Sequence, residues 1–226
     1  MFSNEINRFE MDYIKSNMYL LLENGNALIV DPNKSSSAIS FYDNNVINKV
    51  TVILTHEHFD HTTGVNILYD RYDTEVICTV ECSKSIADMK CNRPMALMGL
   101  IGEYSKEEIM SAYRAIGKYS CKSDVTFTGN MNLEWNGHKL KLLATPGHSK
   151  GSCCIEMDDK FIFTGDSLVP EEQVITGFPG GSDDEYVNKT LPFLLTISSD
   201  KIIMPGHGSP CKMSELRYED GIFIKS

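Results

Sequence analysis

The sequence predicts an α+β fold in which two layered sheets are covered by helices, and three observations carry that expectation. Turn-centred hairpins open the chain and return in its second half. Strand and helix patterns alternate between them, and one more helix–strand unit closes the chain. Such an order suits paired sheets better than a doubly wound parallel sheet. A length of 226 residues fits a single domain over 1–226 with one sizeable core. A segment at about 91–124 reads as a lid or insert.

The elements follow in chain order. Tyr19–Glu23 and Ala27–Val30 flank Asn24-Gly25-Asn26, and Asn-Gly between apolar runs signals a hairpin because both residues tolerate positive φ. Val50–Thr55 is an apolar, β-branched run that ends at His56, a buried strand delivering a loop. Thr62–Tyr72 places Val65, Leu68 and Tyr69 at helical spacing, and Ser83–Met89 suits a second short helix. Ser105-Lys106-Glu107-Glu108 is a capping box ahead of Ile109, Tyr113 and Ile116, which predicts a helix over about 106–119. Asn136-Gly137 joins Met131–Trp135 to Lys139–Leu143, and Asp158-Asp159 joins Cys153–Met157 to Lys160–Phe163. Asp183–Ile197 has a helical pattern despite Pro192, and Lys201–Met204 is a strand feeding Pro205-Gly206-His207-Gly208.

Composition narrows the function. Hydrophobic content of 42% with 23% charged residues is ordinary for a globular protein. A net charge of −10 opposes binding to phosphate backbones, and no Lys/Arg cluster offsets it, so nucleic acid is not an expected partner. No apolar run approaches the ~20 residues needed to cross a bilayer, and the N-terminus lacks the pattern of a secretory signal. The seven cysteines form no CxxC pair and read as free thiols, with Cys153 and Cys154 as small buried hydrophobes. A cytoplasmic protein is expected.

The chemistry concentrates in Thr55-His56-Glu57-His58-Phe59-Asp60-His61, which holds three of the six histidines. On an extended strand end His56 and His58 point the same way and can grip one metal. Asp60 and His61 follow where the chain turns into a helix, and can face a second metal close by. Three further donors each sit in a glycine-containing turn after an expected strand. These are His148 in Thr145-Pro146-Gly147-His148-Ser149, Asp166 in Phe163-Thr164-Gly165-Asp166-Ser167, and His207 in Pro205-Gly206-His207-Gly208. Glycine beside each donor lets the backbone turn sharply and approach the site closely. Seven donors for two metals leave positions open for water and substrate, as a catalytic site requires.

The H-x-H-x-D-H motif, followed in order by PGH, TGD and PGH, resembles the metallo-β-lactamase-fold hydrolases, and especially their glyoxalase II-like (hydroxyacylglutathione hydrolase-like) branch. The resemblance runs from the first hairpin to His207. It implies an αββα four-layer sandwich, with two facing mixed sheets, helices outside and the metals at one edge. Carried over position by position, it implies that His56, His58 and His148 bind one metal, that Asp60, His61 and His207 bind a second, and that Asp166 bridges both. The implied cofactors are two divalent ions, Zn²⁺ before Fe or Mn. A metal lowers the pKa of bound water to about 7, so a hydroxide bridging two ions could attack a carbonyl at neutral pH. Asp60 is the candidate catalytic residue, orienting the nucleophile and carrying its proton to the leaving group.

The expected reaction is therefore hydrolysis of a thioester, or of a related ester or lactone, in a small-molecule substrate, with no membrane partner. Asp166 in its TGD setting disfavours β-lactam hydrolysis. Two features depart from glyoxalase II. Only Ser209–Ser226 follows His207, where that enzyme carries a helical domain with basic residues, and the stretch 171–182 lacks its Cys- and Arg-containing segment. The alternatives are a mononuclear iron oxidoreductase resembling persulfide dioxygenase, a phosphodiesterase of the same fold, and a non-catalytic binding protein. A scaffold has no need to cluster seven costly polar groups, which counts against the last. Outside the donor set, His138 is expected to be a solvated hairpin residue, and Glu57 and Phe59 to support the loop. Lys150 is either solvated or facing an anionic substrate. Met95–Gly102 is either a loop packed on the core or a Met-rich apolar lid.

Overall fold

Hairpin turns and apolar alternation set the sheets. The computed structural model describes residues 6–89 and 104–225. Strands β1 (Ile6–Glu10), β2 (Asn17–Glu23), β3 (Asn26–Val30), β4 (Lys49–Ile53), β5 (Asp73–Thr79) and β6 (Val125–Phe127) form a six-stranded sheet in that order. Its first three strands are antiparallel neighbours, and β3 to β6 run parallel. The second six-stranded sheet contains β7 (Asn130–Trp135), β8 (His138–Ala144), β9 (Cys153–Met157), β10 (Phe161–Gly165), β11 (Ile202–Pro205) and β12 (Cys211–Lys212). There β10 and β11 are parallel and the other neighbours antiparallel.

The three expected hairpins form where the turn residues demand them. Asn24 and Gly25 lie at φ of 52° and 78°, and Asn136 and Gly137 at 49° and 89°. These left-handed pairs match the twist of the flanking strands. Register follows burial. In β8, Leu140 and Leu142 face inward while Lys139 and Lys141 face solvent. A one-residue slip would expose both leucines, at about 1.5–3 kcal/mol each, and bury the lysines.

Alternation along the strands divides the interior into three apolar layers. Tyr19, Leu21, Leu28 and Ile53 of the first sheet meet Leu142, Ile155, Phe163 and Met204 of the second. On the far side of the first sheet, Met18, Leu20, Ile29 and Val52 pack under Ala38 and Tyr42 of helix Ser36–Asn44 and under Val65 and Leu68 of helix Val65–Arg71. Outside the second sheet, Cys154, Ile162 and Ile203 lie beneath Tyr186, Leu194 and Phe223. Helix, sheet, sheet, helix is thus the order of layers, as the resemblance implies.

Several elements differ from the sequence reading. The helix expected over 62–72 is two short ones, Phe59–Thr62 and Val65–Arg71. The break falls at Gly64, whose N–H donates to the Pro32 carbonyl at 2.9 Å. The pattern over 183–197 forms one continuous helical run over 183–194, but a π-turn over Tyr186–Thr190 lies between Asp183–Glu185 and Leu191–Leu194. Pro192 has no N–H to continue an α-helical ladder. The capping box at Ser105 forms with both of its bonds, but the helix spans Lys106–Ile116 and ends at Gly117, φ 72°. Strands β1, β5, β6 and β12 carry no clear turn signal in the sequence. The C-terminal tail folds as a hairpin of β13 (Leu216–Glu219) and β14 (Ile222–Lys225) around Asp220-Gly221, an Asp-Gly signal that the sequence reading passed over. Residues 90–103, with Cys91 and the Met95–Gly102 segment, lie outside the described residues. Among the described residues, Cys78, Cys82, Cys121, Cys153, Cys154 and Cys211 are buried free thiols, and no helix is long and apolar enough to cross a membrane.

Candidate metal centre

Five strand ends deliver the site. β3 leads into Asp31, β4 into Thr55-His56, β8 into the turn that carries His148, β10 into Asp166 and β11 into His207. The turns must come very close together. A Cβ on Gly165 would fall 2.7 Å from Thr55 Cβ, and one on Gly206 would collide with the Asp166 carboxylate. Glycine is therefore required on both, as the sequence pattern suggests.

All seven expected donors converge. His58 Nδ1 lies 3.1 Å from His56 Nε2 and 2.9 Å from His148 Nε2. Asp166 Oδ2 stands 3.9 Å from His56 Nε2 and 3.4 Å from His148 Nε2. Beside this group, Asp60 Oδ2 lies 3.2 Å from His61 Nε2 and 3.4 Å from His207 Nε2. Asp166 reaches both groups, with Oδ1 3.5 Å from His61 Nε2 and Oδ2 3.5 Å from His207 Nε2. Donors bound tetrahedrally at about 2.0–2.1 Å lie about 3.3 Å from one another. The spacing therefore suits one ion in each group, with Asp166 between them.

Electrostatics supports the same reading from the residues themselves. Burial holds the pKa of His56 and His148 below the ordinary histidine value. Burial, reinforced by the facing His148, holds His58 at about 3. Three neutral imidazoles thus turn ring nitrogens toward one another, an arrangement that a cation would relieve. The second group is different. Burial opposes charge on His61, yet Asp60, Asp166 and Asp31 raise its pKa well above the ordinary value. Burial likewise opposes charge on His207, and Asp166 and Asp60 hold it up at about 10. Burial also opposes ionisation of Asp60 and Asp166, but His61 and His207 overcome it and lower both carboxyls well below their usual range. His61 Nε2 and Asp166 Oδ1 are nonetheless buried without a hydrogen-bond partner among the described residues. Buried polar atoms left in this way are costly, and an ion between them would satisfy both.

A surrounding set of residues orients the donors. Asp31 accepts from the Thr55 amide at 2.7 Å and from its hydroxyl, and faces His61 Nδ1 at 2.9 Å. The Ile175 carbonyl can only accept, so His148 Nδ1 donates to it at 2.7 Å and Nε2 is left with its lone pair toward the centre. Asn17 braces the turn that carries His207. Its side chain donates to the carbonyls of Pro205 at 2.9 Å and Gly208 at 2.8 Å, and its amide donates to Gly206 at 2.7 Å. Sequence reasoning missed Asp31, Asn17 and the Ile175 carbonyl. Asp31 does leave a trace, as an acidic residue directly after a fully apolar strand.

The expected supporting roles are visible. Ser149 Oγ donates to Glu57 Oε2 at 2.8 Å, tying the His56–His61 loop to the His148 turn. Phe59 is buried with Met11, Ile14, Ala112 and Ile116. Lys150 is exposed and does not line the cleft. His138 differs from expectation. It is half-buried rather than solvated, because the turns on either side bring Asp158 to its Nδ1 and Glu23 to its Nε2.

The donors open onto a cleft of about 450 Å³ whose wall includes His58, Asp60, His148, Asp166 and His207. Phe178 roofs the first group, its ring 5.5 Å from His58 and 6.1 Å from His148.

Comparison with known proteins agrees with this geometry. The profile of the metallo-beta-lactamase superfamily matches residues 12–207. A probable metallo-hydrolase, YqgX, of Bacillus subtilis (strain 168) is 25% identical over 203 residues, 89% of this chain and 89% of its own length. The hydroxyacylglutathione hydrolase GloC of Haemophilus influenzae (strain ATCC 51907 / DSM 11121 / KW20 / Rd) is 26% identical over 186 residues, 81% of each chain. The crystal structure of BLEG-1 B3 metallo-beta-lactamase superposes with a TM-score of 0.71 at 22% identity, covering 92% of this chain and 94% of that one. The chain belongs to the metallo-β-lactamase superfamily.

Proposed function

We propose that this superfamily member hydrolyses a thioester, or a related ester or lactone, of a small molecule at a dinuclear centre. His56, His58 and His148 would hold one divalent ion and Asp60, His61 and His207 the other, with the Asp166 carboxylate within reach of both groups. Zn²⁺ is the proposed metal, since five imidazoles and two carboxylates suit it, with Fe or Mn as the chemically reasonable replacements. The observation that carries the reading is that the Asp166 carboxylate lies within 3.5 Å of His148 in one donor group and of His61 and His207 in the other, all beside one cleft.

Bound divalent ions would supply a water of pKa about 7 and would polarise the substrate carbonyl. The chain's own residues do the rest. Asp60 is held ionised and lies at the cleft wall, where it orients the attacking water, accepts its proton and returns that proton to the leaving thiol or alcohol. Asp31 and the Ile175 carbonyl fix the rings of His61 and His148 through their Nδ1 atoms. Phe178 shields the His58–His148 side from bulk water.

The test is thiol release from a panel of acyl thioesters that includes S-lactoylglutathione, using metal-loaded protein beside a chelated control. Chelator-sensitive turnover of at least one thioester is expected. A metal-replete protein that releases no thiol from the panel, and opens no ester or lactone, would overturn the reading.

A further inference from the structure

The two donor groups rest on unlike supports. In the first, His56 stands close after β4 and His148 sits in the turn after β8, while His58 has extended backbone. Asp60 and His61 of the second belong to helix Phe59–Thr62, which is a single turn. A helix so short is not stable by itself, so its setting depends on what packs against it. Phe59 is buried with Met11, Ile14, Ala112 and Ile116. Apolar burial is non-directional, and it holds the turn down without fixing its rotation. Direction comes from hydrogen bonds to the carbonyls of the turn. Buried Ser16 donates through Oγ to the Asp60 carbonyl at 2.9 Å, and the Thr63 amide donates to the Phe59 carbonyl at 3.0 Å.

Tyr119 reaches the same turn from the segment between β5 and β6. Its hydroxyl lies 3.0 Å from the Phe59 carbonyl and 2.7 Å from Thr62 Oγ1. A carbonyl can only accept, so the phenol donates to Phe59 and its oxygen accepts from Thr62. Burial pushes the Tyr119 pKa up, so the phenol keeps the proton that it donates. Its ring packs against the cluster around Phe59 and against the one that holds Val65 and Leu68. The neighbouring chain is anchored without the hydroxyl. Asn66 Nδ2 donates to the Ser120 carbonyl at 3.0 Å, and the Cys121 amide donates to the Ile86 carbonyl at 2.9 Å. A side chain on a fixed segment sets its partner rather than following it.

Resting on the dinuclear reading above, we propose that Tyr119 is a positioning residue for the second donor group, its hydroxyl fixing the rotation of the turn that carries Asp60 and His61. Asp60 and His61 share that turn and meet His207 in one candidate ligand set, so a small rotation moves two of three donors together. Loss of the hydroxyl orphans neither partner. The Phe59 carbonyl keeps the Thr63 amide, and Thr62 Oγ1 keeps the His58 carbonyl at 3.2 Å. Removing it therefore takes away direction and little stability. The first group has a separate tie, from Ser149 Oγ to Glu57, that does not pass through Tyr119.

The experiment places Tyr119→Phe in the full chain, alone and beside single donor deletions, and reads Zn²⁺ affinity by competition with a chromophoric chelator. Alone, it should weaken one of the two equivalents by about tenfold, the low end for groups that orient metal ligands, and leave the other unchanged. His148→Ala cripples the first group and His207→Ala the second, and neither donor lies on the Phe59–Thr62 turn. In the His148→Ala chain Tyr119→Phe should cost the remaining site the same factor, and in the His207→Ala chain it should cost nothing. The visible spectrum of bound Co²⁺ should change with Tyr119→Phe in the first background and not in the second. The metal-free melting temperature should fall by no more than about 2–4 °C, the scale of one hydrogen bond in a domain of this size. Tyr119→Phe alone decides the matter if a donor deletion fails to fold. Unchanged affinities, or equal weakening of both equivalents, would overturn this inference and leave the dinuclear centre standing. A wild-type chain that binds fewer than two ions would overturn both.

Discussion

The two ends of the sandwich treat histidine in opposite ways. His138 opens β8 and His148 follows its close, so one strand links a satisfied imidazole to an unsatisfied cluster. At the His138 end both ring nitrogens face carboxylates, Asp158 and Glu23, and Trp135 stacks on the ring at 5.9 Å. At the other end five imidazoles converge, and His61 Nε2 and Asp166 Oδ1 are buried without hydrogen-bond partners among the described residues. Both regions are rich in acid and base. What marks the metal centre is that its groups converge and are left wanting, whereas those around His138 are paired off. Charge density alone would not have told them apart; polar satisfaction does.

The largest test of that contrast removes the shared carboxylate. Asp166→Ala should lose at least one metal equivalent by elemental analysis. Its hydrolytic activity should fall at least about a thousandfold, the scale seen when a group acting as part of a unit is deleted. A smaller effect is expected from Asp31→Ala, which frees the His61 ring from its Nδ1 partner. Loss of such a supporting carboxylate costs about 10–100-fold in metal affinity or activity, and titration with a competing chelator would read it directly. Asn17→Ala removes two hydrogen bonds from the turn that carries His207, while the Pro205 carbonyl keeps the Tyr19 hydroxyl and the Gly208 carbonyl keeps Arg8. At about 0.5–1.5 kcal/mol for each bond lost, it should lower the denaturation midpoint and loosen metal held by His207, both measurable on one sample.

The smallest effect belongs to His138→Ala, which should keep full metal content and turnover and lose no more than about 1 kcal/mol, as exposed pairs do. Its pH dependence is the sharper readout. Asp158, ahead of the opposing burial and of Glu23, raises the His138 pKa. That contribution is complete below the unfolded histidine value of about 6.5 and is lost as pH rises through the raised folded value. Burial opposes ionisation of Asp158, but His138 lowers its pKa overall. That contribution is present above the unfolded aspartate value of about 3.9 and is lost as pH falls through the depressed folded value. The melting-temperature gap between wild type and His138→Ala should therefore be widest at about pH 5–6 and close as pH rises through the raised folded value of His138. A gap that widened with rising pH would break the pairing assigned here.

These residues also show what a sequence can disclose. The seven candidate donors were legible locally, His148, Asp166 and His207 from glycine-containing turns after strands and the other four from the dense run Thr55–His61, and the Asn-Gly turns did the same for two of the hairpins. Asp31 and Asn17 were not, because their meaning depends on partners far along the chain: Asn17 acts on carbonyls 188 and 191 residues away. His138 was misread for the same reason, since Glu23 approaches it from the other sheet, 115 residues distant. The helix expected over 183–197 does form, over 183–194, but the pattern did not disclose its π-turn at Tyr186–Thr190, just ahead of Pro192, which has no N–H to give an α-helical ladder. The exposed hairpin at Asp220-Gly221 had a turn signal, but its strands are mostly solvated and lack the apolar alternation that would have drawn notice.

Metal stoichiometry tests the central claim most directly. Purified wild-type chain titrated with Zn²⁺ and assayed by elemental analysis should bind two equivalents, and Asp166→Ala should bind fewer, with loss of turnover. An Asp166→Ala protein that holds the same metal content as wild type and hydrolyses at the same rate would contradict the shared-carboxylate centre.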